Sequence, residues 1–198
     1  MIDVHEIIKM QEETVARWHR DPVDNTYDGL LQVACEQHAF NYKLWHEEDV
    51  ARSVDVSDAR IAQVKRAIDG LNQKRNDWIE RMDDWITNRL EQDRVETAPD
   101  ARLNTETPGS AIDRLSILAL RIYHMDEQLQ REDVDEEHLE SVRQKLHVCL
   151  VQREDLSNSL NELLQDIQAG RKRHRTYRQF KMYNDPTLNP YLYKRQPA

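Results

Sequence analysis

The residues best suited to chemistry lie along one face of a helix that the sequence predicts over about residues 27–54. The residues that share this face at helical spacing are Leu31, Ala34, His38, Asn41, Tyr42, Trp45, Asp49 and Arg52. The polar members alternate with apolar neighbours, so we expect them to point into a cleft or into the interior. Histidine changes its charge near neutral pH and often serves as a general acid or base. This face therefore predicts a binding or catalytic site.

A second polar seam is predicted on the next helix, over about residues 57–90. Its members follow one another at spacings of four, three, four and seven residues and are Lys65, Asp69, Asn72, Asn76 and Asp83. If the two faces meet, many polar groups are buried together, and such groups must either satisfy one another or bind something. Two interpretations stay open: a site for a ligand or a reaction, and a structural network that fixes how the helices align.

The chemistry of these side chains predicts their roles. His38 is the candidate general acid or base, with Asp49 or Asp69 as the catalytic partner that orients it. The candidate ligand-binding residues are Asn41, Trp45, Arg52, Lys65, Asn72, Asn76, His124, Arg178 and Lys181. Amide and guanidinium groups form directional hydrogen bonds with hydroxyl or phosphate groups, and an indole ring can stack on a sugar. The six basic residues within 171–181 either attract an anion or complement the dipole at a helix end.

A metal-dependent hydrolase or oxidase is an alternative, with His38, His46, Asp49 and His124 as ligands. The sequence contains no H-E-x-x-H motif and no E-x-x-H pair. His38 and His46 also do not share one face of a straight helix cleanly. We therefore do not favour a metal, and the identity of any cofactor stays open. His19 is predicted to be a surface or boundary histidine.

The composition fits a helical protein and argues against several other classes. Of the 198 residues, 38% are hydrophobic and 33% are charged, and only 4 glycines and 6 prolines interrupt the chain, which favours long helices. The net charge of -9 argues against nucleic-acid binding. The sequence has no apolar run that could span a membrane and no basic, apolar leader, so we expect a cytoplasmic protein without membrane insertion.

The predicted architecture is all-α: a single domain over residues 1–198, built as an antiparallel bundle of about five helices. The helices are predicted at about 4–19, 27–54, 57–90, 110–131 and 134–183, with a kink or interruption of the last helix at Gly170. A long polar connection covers residues 91–107. The bundle spans about 4–183, and two Asn/Asp-Pro pairs then predict an extended C-terminal tail over residues 184–198.

Four blocks of the sequence resemble the bacterial domain-of-unknown-function 4254 family. They are HAFNYKLWHEEDVAR (38–52), KRAIDGLNQKRNDWIERMD (65–83), TPGSAIDRLSILALRIYHM (107–125) and YRQFKMYNDPTLNPYLY (177–193). The resemblance covers nearly the whole chain and implies a helical fold of about this size, with no established reaction. The third block is also similar to a shorter motif in another group of proteins, which accompanies bacterial surface-polysaccharide genes. That similarity points to sugar or cell-envelope metabolism.

Together, the residues and the resemblance predict a polar site between helices that binds a small anionic or glycosylated metabolite. The protein could be an enzyme of sugar or cell-envelope glycoconjugate metabolism, and whether it catalyses a reaction stays open. The metal-dependent hydrolase or oxidase is one alternative. A non-catalytic interaction module is the other, with the connection at 91–107 and the tail as docking surfaces, and a homo-oligomer fits that alternative.

Overall fold

Five long α-helices form the body of the protein in a computed structural model that describes residues 2–194. In chain order they are α1 (Val4–Trp18), α2 (Gly29–Arg52), α3 (Asp58–Gln92), α4 (Pro108–Leu129) and α5 (Glu136–Gln168). The smaller elements are the strands β1 (Arg102–Leu103) and β2 (Lys172–Arg173), a 3-10 turn at Met182–Asn184 and the short helix α6 (Pro190–Tyr193). The prediction of an all-α bundle is confirmed.

Short polar side chains begin four of the long helices. The capping residues are Asp3 for α1, Ser57 for α3, Thr107 for α4 and Asp135 for α5. At α4, the Thr107 side chain accepts a hydrogen bond from the backbone N–H of Ser110, and Pro108 occupies the first turn, where its missing N–H costs nothing. Because Thr107 is the cap, α4 begins two residues before the predicted position 110.

The helices pack in pairs around an apolar interior. α2 packs along α3, α4 packs along α5, and α1 contacts α2, α4 and α5. A short connection joins α2 to α3 and another joins α4 to α5, so the two helices of each pair run antiparallel. The largest fully buried side chains include Ile7, Met10, Met82, Ile86, Ile112, Leu115 and Leu120. Across the described part of the chain, no helix combines the length and apolar character that crossing a bilayer requires.

The connection between α3 and α4 is anchored to the end of α5. β1 pairs in parallel with β2, and the backbone N–H of Ala98 donates to the carbonyl oxygen of Gly170 at 2.9 Å. Gly170 has a φ of 69°, and a Cβ at this position would collide with the carbonyl oxygen of Glu96. The predicted interruption at Gly170 is therefore confirmed, whereas the helix predicted beyond it to residue 183 is wrong, because α5 ends at Gln168 and the chain turns at Gly170.

The segment that follows β2 turns back along α3. Arg178 donates to Asp84 at 2.8 Å and to Glu80 at 3.2 Å. The side-chain amide of Gln179 donates to Asn76 Oδ1 at 3.3 Å. One side of α3 is therefore occupied by the protein's own C-terminal segment.

Candidate metal centre

Three histidines from three different helices converge in the bundle. His19 directly follows α1, His46 lies in α2 and His124 lies in α4. One ring nitrogen of each lies within 4.8 Å of a ring nitrogen of the other two. The Nε2 atom of each ring is shielded from solvent and has no hydrogen-bond partner among residues 2–194. Buried polar atoms are normally paired, so these three nitrogens are available to a ligand from outside the chain.

The contacts of the Nδ1 atoms explain why Nε2 is left free. His19 Nδ1 lies 2.7 Å from the carbonyl oxygen of Val15. A carbonyl oxygen only accepts, so the neutral tautomer that fits this contact has its proton on Nδ1 and its lone pair on Nε2. His124 Nδ1 lies 2.6 Å from Glu127 Oε2, the carboxylate–histidine contact that commonly supports a metal-bound imidazole. Two of the three rings are thus held with a lone pair at Nε2.

Aromatic side chains hold the three imidazole rings in position. The ring of His19 stacks on Tyr123, with centroids 4.2 Å apart, and the ring of His124 stacks on Trp45 at 4.7 Å. Tyr42 meets two of the histidines edge-on, at 5.1 and 4.6 Å between centroids. This packing restricts the rotamers of the rings, which is the condition for a preorganised ligand set.

His46 sits in an environment that keeps its imidazole neutral. Burial lowers the pKa of His46 below its usual range, and the neighbouring His19 and His124 lower it further. The carboxylates of Asp49 and Glu127 act in the opposite direction, and Asp49 Oδ2 lies 3.9 Å from His46 Nδ1. Because the net shift is downward, His46 is neutral near pH 7, which is the form that coordinates a metal.

The arrangement fits a transition-metal ion. Three neutral imidazoles are a common ligand set for Zn²⁺, and imidazole also suits copper, iron and nickel. Zinc–nitrogen bonds are about 2.0–2.1 Å long, so nitrogens at tetrahedral positions lie about 3.4 Å apart. Small ring rotations would bring the three nitrogens from within 4.8 Å to that spacing. Three protein ligands leave one position for water or substrate, as in catalytic zinc sites.

The polar face predicted on α2 also contributes to a separate buried network. His38 Nδ1 lies 2.7 Å from Ser116 Oγ. Asn41 Nδ2 donates to Asp113 Oδ1 at 2.9 Å and to Ser116 Oγ at 2.8 Å. Arg75 of α3 donates to both carboxylate oxygens of Asp113, at 2.8 and 2.5 Å. We call these residues, with Gln37, the Asp113 network, and it ties α2, α3 and α4 together.

Apart from Arg75, whose side chain is 24% exposed, the residues of the Asp113 network are buried. His38 and Ser116 have 0% exposure, and Gln37 Nε2 adds a further donor to Asp113 at 2.6 Å. Burial lowers the pKa of His38 to about 3, so its ring stays neutral at physiological pH. His38 and Asn41 are buried, as the sequence predicted. A substrate has no route to the Ser116–His38 pair, so their contacts fit the structural interpretation of the polar face.

The residues of the seam predicted on α3 are not gathered at one site. Lys65 and Asp69 are exposed and pair with each other at 2.7 Å. Asn76 contacts the C-terminal segment. Asp83 is buried and accepts a hydrogen bond from the backbone N–H of Gly109 at 2.8 Å, and burial raises the pKa of Asp83. This carboxylate therefore joins α3 to the start of α4.

The other predicted site residues are also dispersed. Asp49 and Arg52 are exposed near the end of α2, and Arg52 pairs with Glu48 at 2.6 Å. Asn72 and Lys181 are half-buried on α3 and on the C-terminal segment. Arg178 is bound to carboxylates of α3, as described above. Of the predicted ligand-binding residues, only Trp45 and His124 lie at the histidine cluster.

The sequence identified part of the histidine cluster. Of its four candidate ligands, His46 and His124 come together, Asp49 lies beside His46, and His38 lies in the Asp113 network instead. His19 was predicted to be a surface or boundary residue, and its half-buried ring fits a boundary position, but its place in the cluster was not predicted. Ligands from three separate helices have no fixed spacing in the sequence. The one local signal is that His19 ends a helix whose apolar face is buried.

These features define an all-α bundle that encloses a cluster of three histidines. The chain belongs to the family described as protein of unknown function (DUF4254), whose model matches residues 31–176. The matched span contains His46 and His124, whereas His19 lies outside it. No curated protein and no solved structure matches the chain. The resemblance seen in the sequence is confirmed, and it brings no reaction with it.

Proposed function

We propose that the protein is a metal-dependent hydrolase whose divalent ion is held by His19, His46 and His124. The observation that carries this proposal is the convergence of one ring nitrogen from each histidine, in rings whose shielded Nε2 atoms have no hydrogen-bond partner among residues 2–194. The ligand set, with one coordination position left over, favours zinc and hydrolytic chemistry over a purely structural ion. The proposal takes up the metal alternative from the sequence with a changed set of ligands.

When bound at three imidazoles, a zinc ion acts as a Lewis acid and lowers the pKa of a coordinated water to about 7. The protein's own residues provide the geometry. Glu127 and the carbonyl of Val15 hold two of the ligand rings with Nε2 free. Tyr123 and Trp45 stack on those rings and restrict their rotation. These contacts support a site that is preorganised before the ion arrives.

This proposal assigns different roles to some of the residues that the sequence analysis placed in the site. Trp45 and His124 remain site residues. His38 moves to a structural role, because a side chain with no exposed surface cannot meet a substrate. Asp69 pairs with Lys65 and has no contact with the cluster in the described structure. The small-molecule substrate, the cytoplasmic location and the homo-oligomer stay predictions.

Metal binding is tested by titrating chelator-treated protein with Zn²⁺ and with Co²⁺, whose visible absorption reports coordination geometry. We expect one ion per chain and an absorption spectrum typical of tetrahedral nitrogen ligands. His19→Ala, His46→Ala and His124→Ala should each weaken binding, whereas His147→Ala removes an exposed histidine of α5 and is the matched control. Equal binding by all four variants would overturn the ligand assignment.

Hydrolysis is tested separately with zinc-loaded protein and a panel of carboxylic and phosphoric ester substrates. We expect an activity that chelation removes and added zinc restores. An activity that survives in the His124→Ala variant would contradict the assignment of the reaction to this centre.

A further inference from the structure

An open groove runs between α2 and α3 beside the histidine cluster. Tyr42 and His46 belong to both features, because they line the groove and also contact each other within the cluster. The opposite wall is one face of α3, where Arg66, Gly70 and Lys74 recur every four residues. A molecule that occupies the groove therefore lies next to a ligand of the proposed metal.

The groove carries positive charge that the protein does not neutralise. Lys43, Arg66 and Lys74 line it, all three are exposed, and none forms an ion pair within residues 2–194. By contrast, three other basic residues of α3 each have a carboxylate within 2.9 Å. Glu47 is the one carboxylate in the wall as far as the structure describes it, so the lining has a charge of +2 (three cations and one anion). Such a concentration of charge attracts anions even to a chain of net charge -9.

Gly70 lies in the interior of α3, where glycine is the least favourable residue apart from proline. A Cβ added at Gly70 would meet no atom within 4 Å, so packing within the described protein does not require glycine here. The backbone has no left-handed conformation at this residue that would require it either. Close approach of a ligand to the helix backbone is a third reason for glycine, and Gly70 faces the groove.

Glu47 adds a specific hydrogen-bonding requirement. Its Oε2 atom is shielded from solvent and has no donor among the described residues. A buried carboxylate oxygen without a donor is costly, and a hydroxyl group of a bound molecule would satisfy it. The groove thus combines cations for an anionic group with an acceptor for a hydroxyl group.

We propose that this groove binds the substrate of the metal centre, and that the substrate is a small phosphate ester with free hydroxyl groups. The inference rests on the proposed function for its link to the metal. Arg66 matches phosphate through paired N–H donors, while Lys43 and Lys74 act as point charges around it. Glu47 accepts from a hydroxyl of the same molecule, and Gly70 lets the molecule approach α3 closely.

The first test measures the binding of inorganic phosphate to metal-free protein by titration calorimetry. We expect the Arg66→Gln/Lys74→Gln double variant to raise the Kd about tenfold or more, because two charge-assisted contacts are lost. The Arg60→Gln/Arg81→Gln double variant removes the same charge from α3 outside the groove and should change the Kd by no more than about twofold. Equal values of Kd for the two double variants would overturn the proposal.

The second test compares inorganic phosphate with glucose 6-phosphate. We expect glucose 6-phosphate to bind more tightly to the unaltered protein, and Glu47→Gln to remove that advantage while phosphate binding persists. Gly70→Ala should weaken glucose 6-phosphate binding although it raises the midpoint of thermal unfolding. If both ligands bind alike to the unaltered protein, or if Gly70→Ala leaves binding unchanged, the assigned roles of Glu47 and Gly70 are wrong.

The use of metal-free protein separates this proposal from the proposed function. If zinc binds through the three histidines but the groove does not bind phosphate, only the substrate assignment is overturned. If the groove binds phosphate but zinc does not bind, the metal-dependent function is overturned, and the groove is a phosphate site without a metal.

Discussion

Two polar clusters interrupt the apolar interior of the bundle, and they differ in how their hydrogen bonds are satisfied. In the Asp113 network, the carboxylate accepts from three side chains, and Ser116 contacts both His38 and Asn41. In the histidine cluster, one nitrogen of each ring lies within 4.8 Å of the other two, and the Nε2 atoms have no hydrogen-bond partner among residues 2–194. Burial alone does not separate the two clusters, because each contains polar atoms that are shielded from solvent. The clusters differ in whether the side chains satisfy one another.

Unpartnered atoms also occur in the Asp113 network, where His38 Nε2 and Gln37 Oε1 have no hydrogen-bond partner in residues 2–194. Neither atom belongs to a group of converging ligand atoms. The histidine cluster is the one group of three or more potential metal ligands found in the described part of the chain. Convergence, rather than the presence of an unpaired atom, therefore distinguishes a binding centre from an imperfect structural network.

The largest expected effect on stability comes from removing the Asp113 carboxylate. Asp113→Ala leaves the guanidinium of Arg75 and two side-chain amides without their shared acceptor. We expect the free energy of unfolding in urea to fall by about 3 kcal/mol or more. Asp126→Ala removes an exposed carboxylate from the same helix and should change it by about 0.5 kcal/mol at most. A loss below about 1 kcal/mol for Asp113→Ala would show that the network does not align the helices.

The second effect is a pH dependence that comes from His38. Its pKa is about 3 in the folded protein against an ordinary value of 6.5, so the unfolded chain takes up a proton first as the pH falls. The contribution of neutral His38 is fully present above pH 6.5 and decreases toward pH 3. Between pH 6.5 and 4.5 we expect a loss of about 2 kcal/mol that His38→Asn does not show. A constant difference between the two proteins across this range would contradict the buried neutral ring.

The third effect concerns the support of a metal ligand. Glu127→Gln keeps the shape of the side chain but removes the charge beside His124 Nδ1. We expect the affinity for zinc to fall by about 10- to 100-fold, with little change in the unfolding of the metal-free protein. Asp126→Asn alters the neighbouring charge and should leave zinc affinity unchanged. An unaltered zinc affinity in Glu127→Gln would show that Glu127 does not support His124 as a ligand.

The smallest effect tests the groove rather than either cluster. Gly70→Ala should raise the free energy of unfolding by about 0.5–1 kcal/mol, because alanine favours the helix and the added methyl group meets open space. Urea denaturation measures this gain. A loss of stability would show that the glycine is needed for packing after all, and would remove one support for a ligand in the groove.

The sequence predicted the helices well because their signals are local. Spacing of apolar residues and the scarcity of glycine and proline lie within each segment, and the all-α bundle is confirmed. Gly170 predicted a kink or interruption of the last helix, but the sequence did not show that the helix stops there, because the contacts responsible are distant. Gly170 turns the chain against Glu96 and Ala98, and the periodicity of the last helix carries no sign of that contact.

The candidate site was predictable only in part, for the same reason. The burial of His38 and Asn41 follows from their apolar neighbours on α2. Their partner Ser116 lies 78 residues from His38, so the pattern along α2 does not indicate whether the polar face is satisfied internally. The place of His19 in the cluster was not predicted, because residues that come together from three helices have no fixed spacing in the sequence. The topology of the bundle decides which side chains of different helices meet, and the pattern within a single helix does not reveal these contacts.

Gly170 and Gly70 are expected to differ in their tolerance to substitution when every residue of the protein is replaced in turn. At Gly170, every replacement brings a side chain against the carbonyl of Glu96, so intolerance there would report the fold and would appear in any growth condition. At Gly70, most replacements leave folding intact or improve it. Intolerance at Gly70 would therefore appear only when the protein's substrate matters to the cell. Comparing substitutions at Gly170 with substitutions at Gly70 thus separates selection for folding from selection for activity.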